Sequence, residues 1–222
     1  MTYILHIDTA TDRGTVAVSA DGIILASRTN EETRNHAGTI NLLINDVLSD
    51  INISLPDISA VAVCGGPGSY TGLRIGVATA KGLCYALGKP LMLHNRLVLV
   101  AYNAFINKKK SASCFITLLL ARDKEYFICI HDEDFNCTVS PQHIMEIQLN
   151  EFIEKKADTF LITDVSADII NPLDIINLQI DPNTNTTLNS WGIYAFDNYK
   201  SNNIVNLSAA EPSYLKQVYT HK

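Results

Sequence analysis

The segment Cys64-Gly65-Gly66-Pro67-Gly68-Ser69-Tyr70-Thr71-Gly72-Leu73-Arg74-Ile75-Gly76 constrains this chain more than any other. It follows an apolar run, Ile58-Ser59-Ala60-Val61-Ala62-Val63, that reads as a buried strand. It precedes a helical pattern running to about Leu87, closed by Gly88-Lys89-Pro90. A glycine-rich loop between a strand end and a helix start belongs to an α/β architecture. Backbone N–H groups there face a ligand or a partner. The loop is not a phosphate-binding Walker loop, because no Lys follows Gly72. Nor is it the dinucleotide fingerprint, since Thr71 occupies the third glycine position.

The flanking sequence supplies the rest of the layout. Tyr3 to Ile7, Thr15 to Ser19 and Ile23 to Ala26 read as three antiparallel strands, the last two joined by the hairpin signal Asp21-Gly22. Ile40, Leu43, Ile44, Val47, Leu48 and Ile51 recur at helical spacing and predict a helix over 36–49 with one buried stripe. Leu91 to His94 predicts a strand and Leu97 to Ile106 a helix. The same grammar then restarts. A hairpin is predicted around Arg122 to Glu125, a helix over 146–156, a strand over 159–163 and a helix over 187–199. The repetition implies a duplicated αβ layout, an N-terminal lobe over 1–107 and a smaller, divergent lobe over 108–222.

Composition removes several function classes. The formal net charge of −6 argues against gripping a nucleic acid backbone alone, which needs clustered Lys and Arg. The one basic cluster, Lys108-Lys109-Lys110, reads as a solvated loop. Five scattered cysteines without a C-x-x-C fit reduced thiols in a cytoplasmic protein rather than disulfides or a zinc site. No apolar run approaches membrane-spanning length, and no signal peptide is expected. The six histidines contain no i, i+3 or i, i+4 pair, so no metal site is expected, and no nucleophile elbow marks a catalytic serine.

Two features remain as candidate sites. Asp8-Thr9-Ala10-Thr11, an acid at a strand end followed by hydroxyls, fits a strand-terminating Asx turn and equally resembles the phosphate turn of the actin-like ATPase superfamily, which implies a carboxylate holding a magnesium-bound water. Gly72, Gly76 and Ala80 lie four residues apart on one helix face. A mid-helix glycine costs about 1 kcal/mol relative to alanine, so the ridge implies close approach of another backbone, either within the chain or from a second one.

The opening Ile4-Leu5-His6-Ile7-Asp8-Thr9-Ala10-Thr11, the loop Gly66 to Gly76 and the ending Glu211-Pro212-Ser213-Tyr214-Leu215-Lys216 occur in an order and spacing that resemble the TsaB (YeaZ) family. That family serves bacterial tRNA threonylcarbamoyladenosine biosynthesis and is paralogous to TsaD in the actin-like ATPase superfamily. The resemblance implies a two-lobed ribonuclease H-like/actin-like fold. It implies a non-catalytic subunit that binds TsaD and TsaE, is a homodimer when alone, and is required for threonylcarbamoyl transfer to the adenosine 3′ of the anticodon. TsaD carries N-H-x-x-x-H after the strand that follows the loop. Here Arg96 and Val100 stand in place of both histidines, which implies no catalytic metal. The family's first two helices pack on their TsaD counterparts. This makes Gly68, Ser69, Tyr70, Thr71, Gly72, Arg74, Gly76 and Ala80 the expected partner interface, with the ridge intermolecular. Nucleotide would bind weakly at most, as ATP or ADP with magnesium at Asp8, Thr9 and Thr11; no cofactor is required. The alternative is an actin-like ATP-dependent phosphotransferase. One departure stands out: Leu120-Ala121-Arg122 replaces an Asp-Ala-Arg segment of the relatives.

Overall fold

The computed structural model describes residues 1–30, 32, 35–108, 112–153, 158–173, 175 and 177–216. Apolar alternation and turn chemistry place the first strands as expected. β1 (Tyr3–Asp8) and β2 (Thr15–Ala20) pair antiparallel, with Ile4 opposite Ser19 and Ile7 opposite Val16. Asp21 and Gly22 both take positive φ, the backbone hand that lets a two-residue turn follow the strand twist into β3 (Ile23–Thr29). α1 (His36–Asp50) buries Ile40, Ile44, Val47 and Leu48. β4 (Ala60–Cys64) lies parallel to β1, and α2 (Tyr70–Leu87) ends on left-handed Gly88. β5 (Leu91–His94) lies parallel to β4. The first sheet has the order β3-β2-β1-β4-β5. Its helix-side core joins Leu5, Ile7, Val16, Val18, Val61 and Val63 to the α1 stripe and to Val77, Ala80 and Cys84 of α2.

α3 (Arg96–Lys108) leads into the second sheet. This sheet contains β6 (Cys114–Arg122), β7 (Glu125–Asp132), β8 (Cys137–Met145), β9 (Thr159–Thr163) and β10 (Gln179–Asp181). Its order, β10-β9-β6-β7-β8, repeats the first with the same pattern of parallel and antiparallel pairs. The duplicated ribonuclease H-like/actin-like class is therefore realised strand for strand. β8 and β10 had no sequence signal. β8 is an edge strand, and Pro141 falls where its register against β7 shifts, between the Ile128–Gln142 and Ile130–Val139 pairs. An edge bulge is where a strand tolerates a missing N–H. The helix expected over 146–156 is a 3-10 turn at Glu146–Gln148 followed by α4 (Leu149–Ile153); its last residues lie outside those described. α5 (Ala167–Ile170) and α6 (Leu188–Lys200) complete the chain. Lys109 and Lys110 of the expected basic loop, and Ser111, also lie outside the described residues.

The division differs from the expected 1–107 and 108–222. One unit comprises Met1–Arg96 with Leu188–Ser213, the other Leu97–Thr187 with Tyr214–Lys222. The reason is where apolar faces are buried. α6 packs on β3, β1 and β5. Leu97, Val100, Ala101 and Ala104 of α3 are buried with Phe115, Leu119, Cys129, Phe160 and Ile162 of the second unit.

Candidate functional site

The carboxyl ends of β1, β4 and β5 converge on the glycine loop, and the loop's polar groups are committed there. Gly65 N–H donates to His94 O (2.8 Å), Arg96 N–H to Gly66 O (2.6 Å), Ser213 N–H to Gly65 O (2.8 Å) and Ser69 N–H to Ala10 O (2.7 Å). Gly66 sits at φ +109°, a conformation other residues rarely adopt. Ser69 caps α2, its Oγ accepting from Gly72 N–H at 3.2 Å.

The small-residue ridge faces inward. A Cβ on Gly72 would lie 2.0 Å from Thr9 O, and one on Gly76 would lie 2.2 Å from Thr9 Oγ1. Thr9 is fully buried and donates its hydroxyl to Gly72 O at 2.7 Å. Ala80 is fully buried in the first core. The expectation of an intermolecular ridge is therefore corrected for Gly72, Gly76 and Ala80. Gly72 and Gly76 admit the chain's own β1 turn and Ala80 packs in the core, so the close approach is internal. The rest of the expected interface set is exposed: Gly68, Ser69, Tyr70, Thr71 and Arg74, with the Arg74 guanidinium 5.1 Å from the centre of the Tyr70 ring.

The outward face of α2 continues through Ala78, Gly82 and Tyr85, all exposed. Tyr85 is 84% accessible and Leu42 on α1 63%. A Cβ on Gly82 would meet nothing within 4 Å. These residues escaped the sequence reading, although a third glycine six residues beyond Gly76 was a readable signal. Between α1, the 53–55 segment and α2 lies a cavity of about 340 Å³ lined by Ile44, Leu48, Ile53, Leu55 and Leu83 among others.

Around Asp8, the Oδ1 atom accepts from Ala10 N–H at 2.9 Å. Burial pushes the carboxyl above its usual range, opposed by the Ala10 amide, the Arg96 charge and the Cys64 thiol. The Cys64 thiol is itself driven well up, by burial first and then by Asp8. Thr11 Oγ1 donates to Arg13 O (3.2 Å), and the His36 ring Nε2–H donates to Thr11 O (3.0 Å). The phosphate-turn expectation for Asp8, Thr9 and Thr11 thus meets a turn whose hydroxyls are already engaged with the backbone. Among the described residues, no three His, Cys, Asp or Glu side chains converge as metal ligands.

Behind the sheet, Trp191 Nε1–H donates to His94 Nδ1 (2.8 Å), and His6 Nε2 is hydrogen-bonded to Ser19 Oγ (2.8 Å). Burial lowers both imidazoles to about 3. In the second unit, Asp164 Oδ1, just past the end of β9, accepts from Leu120 N–H at 2.7 Å. Glu125 is held at about 2, first by Lys216 and then by Arg122 and His143, offset by burial. Among the described residues, no helix is long and apolar enough to cross a membrane.

Comparison with known proteins gives a consistent answer. The family model "TsaD: tRNA N6-adenosine threonylcarbamoyltransferase" matches residues 24–140. The chain is 35% identical over 133 residues to the "tRNA threonylcarbamoyladenosine biosynthesis protein TsaB" of Escherichia coli, a match covering 60% of this chain and 56% of that protein. It is 33% identical over 100 residues to the Bacillus subtilis protein of the same name, covering 45% and 44%. The match thus spans about half the length of these curated relatives. Among solved structures, "YeaZ from Pseudomonas aeruginosa" aligns over 97% of this chain and 100% of its own at a TM-score of 0.74 and 21% identity, a likeness of fold. From the family match, the glycine loop and its order in the chain, this protein belongs to the TsaD family, as a member of its TsaB/YeaZ type.

Proposed function

We propose that the chain is a non-catalytic subunit in tRNA threonylcarbamoyladenosine biosynthesis. It docks on a TsaD-type catalytic subunit through the exposed faces of α1 and α2. Arg96 carries the non-catalytic half of this reading: it stands where TsaD has the first histidine of its metal-binding pair, and a guanidinium cannot ligate a metal at neutral pH. The docking half is supported by Leu42, Ala78, Gly82 and Tyr85. Small residues beside one large aromatic allow a second helix to come close and bury an anchor. On this reading TsaE joins the same assembly and free protein pairs with its own copy. The complex works in the cytoplasm, tRNA contact falls to the partner, and no cofactor is required here.

The test is complementation. Cells depleted of this protein are expected to lose threonylcarbamoyladenosine from tRNA nucleosides measured by mass spectrometry, and the wild-type chain restores it. Tyr85→Glu, which keeps the fold because the side chain is exposed, is expected to fail to restore it and to leave the TsaD-type subunit unbound in size-exclusion chromatography. Unchanged nucleosides after depletion would overturn the whole reading. A Tyr85→Glu variant that binds and complements normally would overturn this docking face.

A further inference from the structure

We propose that residues 205–216 form a strap that holds the glycine loop in shape, with Lys216 as its latch on the buried carboxylate of Glu125. The ending Glu211-Pro212-Ser213-Tyr214-Leu215-Lys216 is a marked feature of the sequence, yet neither the docking face nor the glycine ridge uses it. From 206 to 216 the chain forms no helix or strand. A segment without a hydrogen-bonded ladder of its own keeps its place only through tertiary anchors.

The first unit supplies one set of anchors. Val205 N–H donates to Leu91 O at 2.9 Å. Lys81 of α2 donates from Nζ to Ala210 O at 2.8 Å, and Ala210 is buried in the first core. Three residues on, Ser213 meets the loop. Its N–H donates to Gly65 O at 2.8 Å, and its carbonyl oxygen would lie 3.3 Å from a Cβ on Gly66. The strap thus supplies the donor for the Gly65 carbonyl, in a turn where Gly66 sits at φ +109° and a lost hydrogen bond leaves few alternatives. Ser69, four residues beyond Gly65, caps α2, so this turn leads directly into the helix.

The second unit supplies the latch. Leu215 packs against the cluster of Leu97, Ala101, Leu119 and Cys129. Lys216 Nζ pairs with Glu125 Oε2. The Glu125 side chain is 6% exposed, and Arg122 and His143 bond its two oxygens at 2.7 and 2.8 Å. Charge-assisted bonds to so enclosed a carboxylate are stronger than ion pairs in open solvent. Arg122 belongs to β6 and His143 to β8, so strands hold both of them in any case. Lys216 comes from irregular chain, and breaking its pair releases the segment and not only a side chain. Lys216 is thus a positioning residue for the loop, acting through Ser213.

The test is hydrogen–deuterium exchange on the full chain alone, with no partner protein, so its failure is separable from failure of the docking reading. Lys216→Gln leaves Glu125 with Arg122 and His143, so the second unit keeps its fold. In this variant, peptides covering 211–216 and 65–69 are both expected to exchange about tenfold faster than in the wild type, while peptides from β7 and β8 keep their rates. Lys216→Arg, which keeps the charge, is expected to restore both. A loop peptide at the wild-type rate while 211–216 exchanges freely would overturn the strap. Unchanged protection of 211–216 in Lys216→Gln would overturn the latch. Equal acceleration in β7 and β8 would overturn it as well, since the pair would then support the second unit at large.

Discussion

At the residue scale, three glycines of α2 do opposite things. Gly72 and Gly76 make room for Thr9, whereas Gly82 faces open space. Gly76→Ala forces Thr9 Oγ1 away from its bond to Gly72 O. It is expected to destabilise the chain by about 1–3 kcal/mol in urea unfolding, the range for overpacked sites. Gly82→Ala should instead stabilise the isolated chain by about 0.5–1 kcal/mol, because alanine loses less backbone freedom in a helix and meets no neighbour. The same sequence signal, a glycine in a helical pattern, thus had two meanings. Only the backbone facing each position separates them. Leu120 makes a similar point. Its apolar side chain is visible in sequence, but the Asp164 carboxylate brought to its N–H from a parallel strand is not.

At the scale of elements, α6 covers a buried polar pair on the first sheet. His6 and His94 lie against Trp191, with ring centroids 4.9 and 6.4 Å from the indole. Because His94 Nδ1 accepts the indole N–H, the neutral ring carries its proton on Nε2. Each imidazole stays uncharged in the folded chain down to about pH 3, but takes a proton near 6.5 when unfolded. Below 6.5 the unfolded chain binds more protons. This contribution to stability is therefore full above 6.5 and is lost as pH falls toward 3. Unfolding midpoints at pH 7 and pH 4.5, followed by the chain's single tryptophan, should show the loss. His94→Asn keeps an acceptor for Trp191 and removes one of the two titrating groups. It should cut the part of the pH dependence that this pair supplies by roughly half.

At the scale of the whole molecule, sheet order is duplicated but each half's chain segment does not end with its own unit. Residues 1–107 lack α6, which covers β1, β3 and β5. A fragment cut at 107 or at 187 is expected to leave His6, His94 and the apolar face around them exposed. It should show no cooperative thermal transition for the first unit, measured by circular dichroism. A cooperative transition near that of the full chain would show that α6 is dispensable. Strand alternation, the Asp21-Gly22 turn, the α1 stripe, the Gly88 stop and the repeated grammar were all legible in sequence, because each is a local preference of a few neighbouring residues. The loop's order in the chain was legible too, and so was the family. What only the tertiary structure decided is which surface each face meets. Gly72, Gly76 and Ala80 turn inward, Tyr85 outward, and α3 falls almost wholly in the second unit while α6 falls in the first. Periodicity fixes that a helix has a buried side, but its partner is chosen by burial and close approach between residues far apart in the chain, which no local pattern encodes.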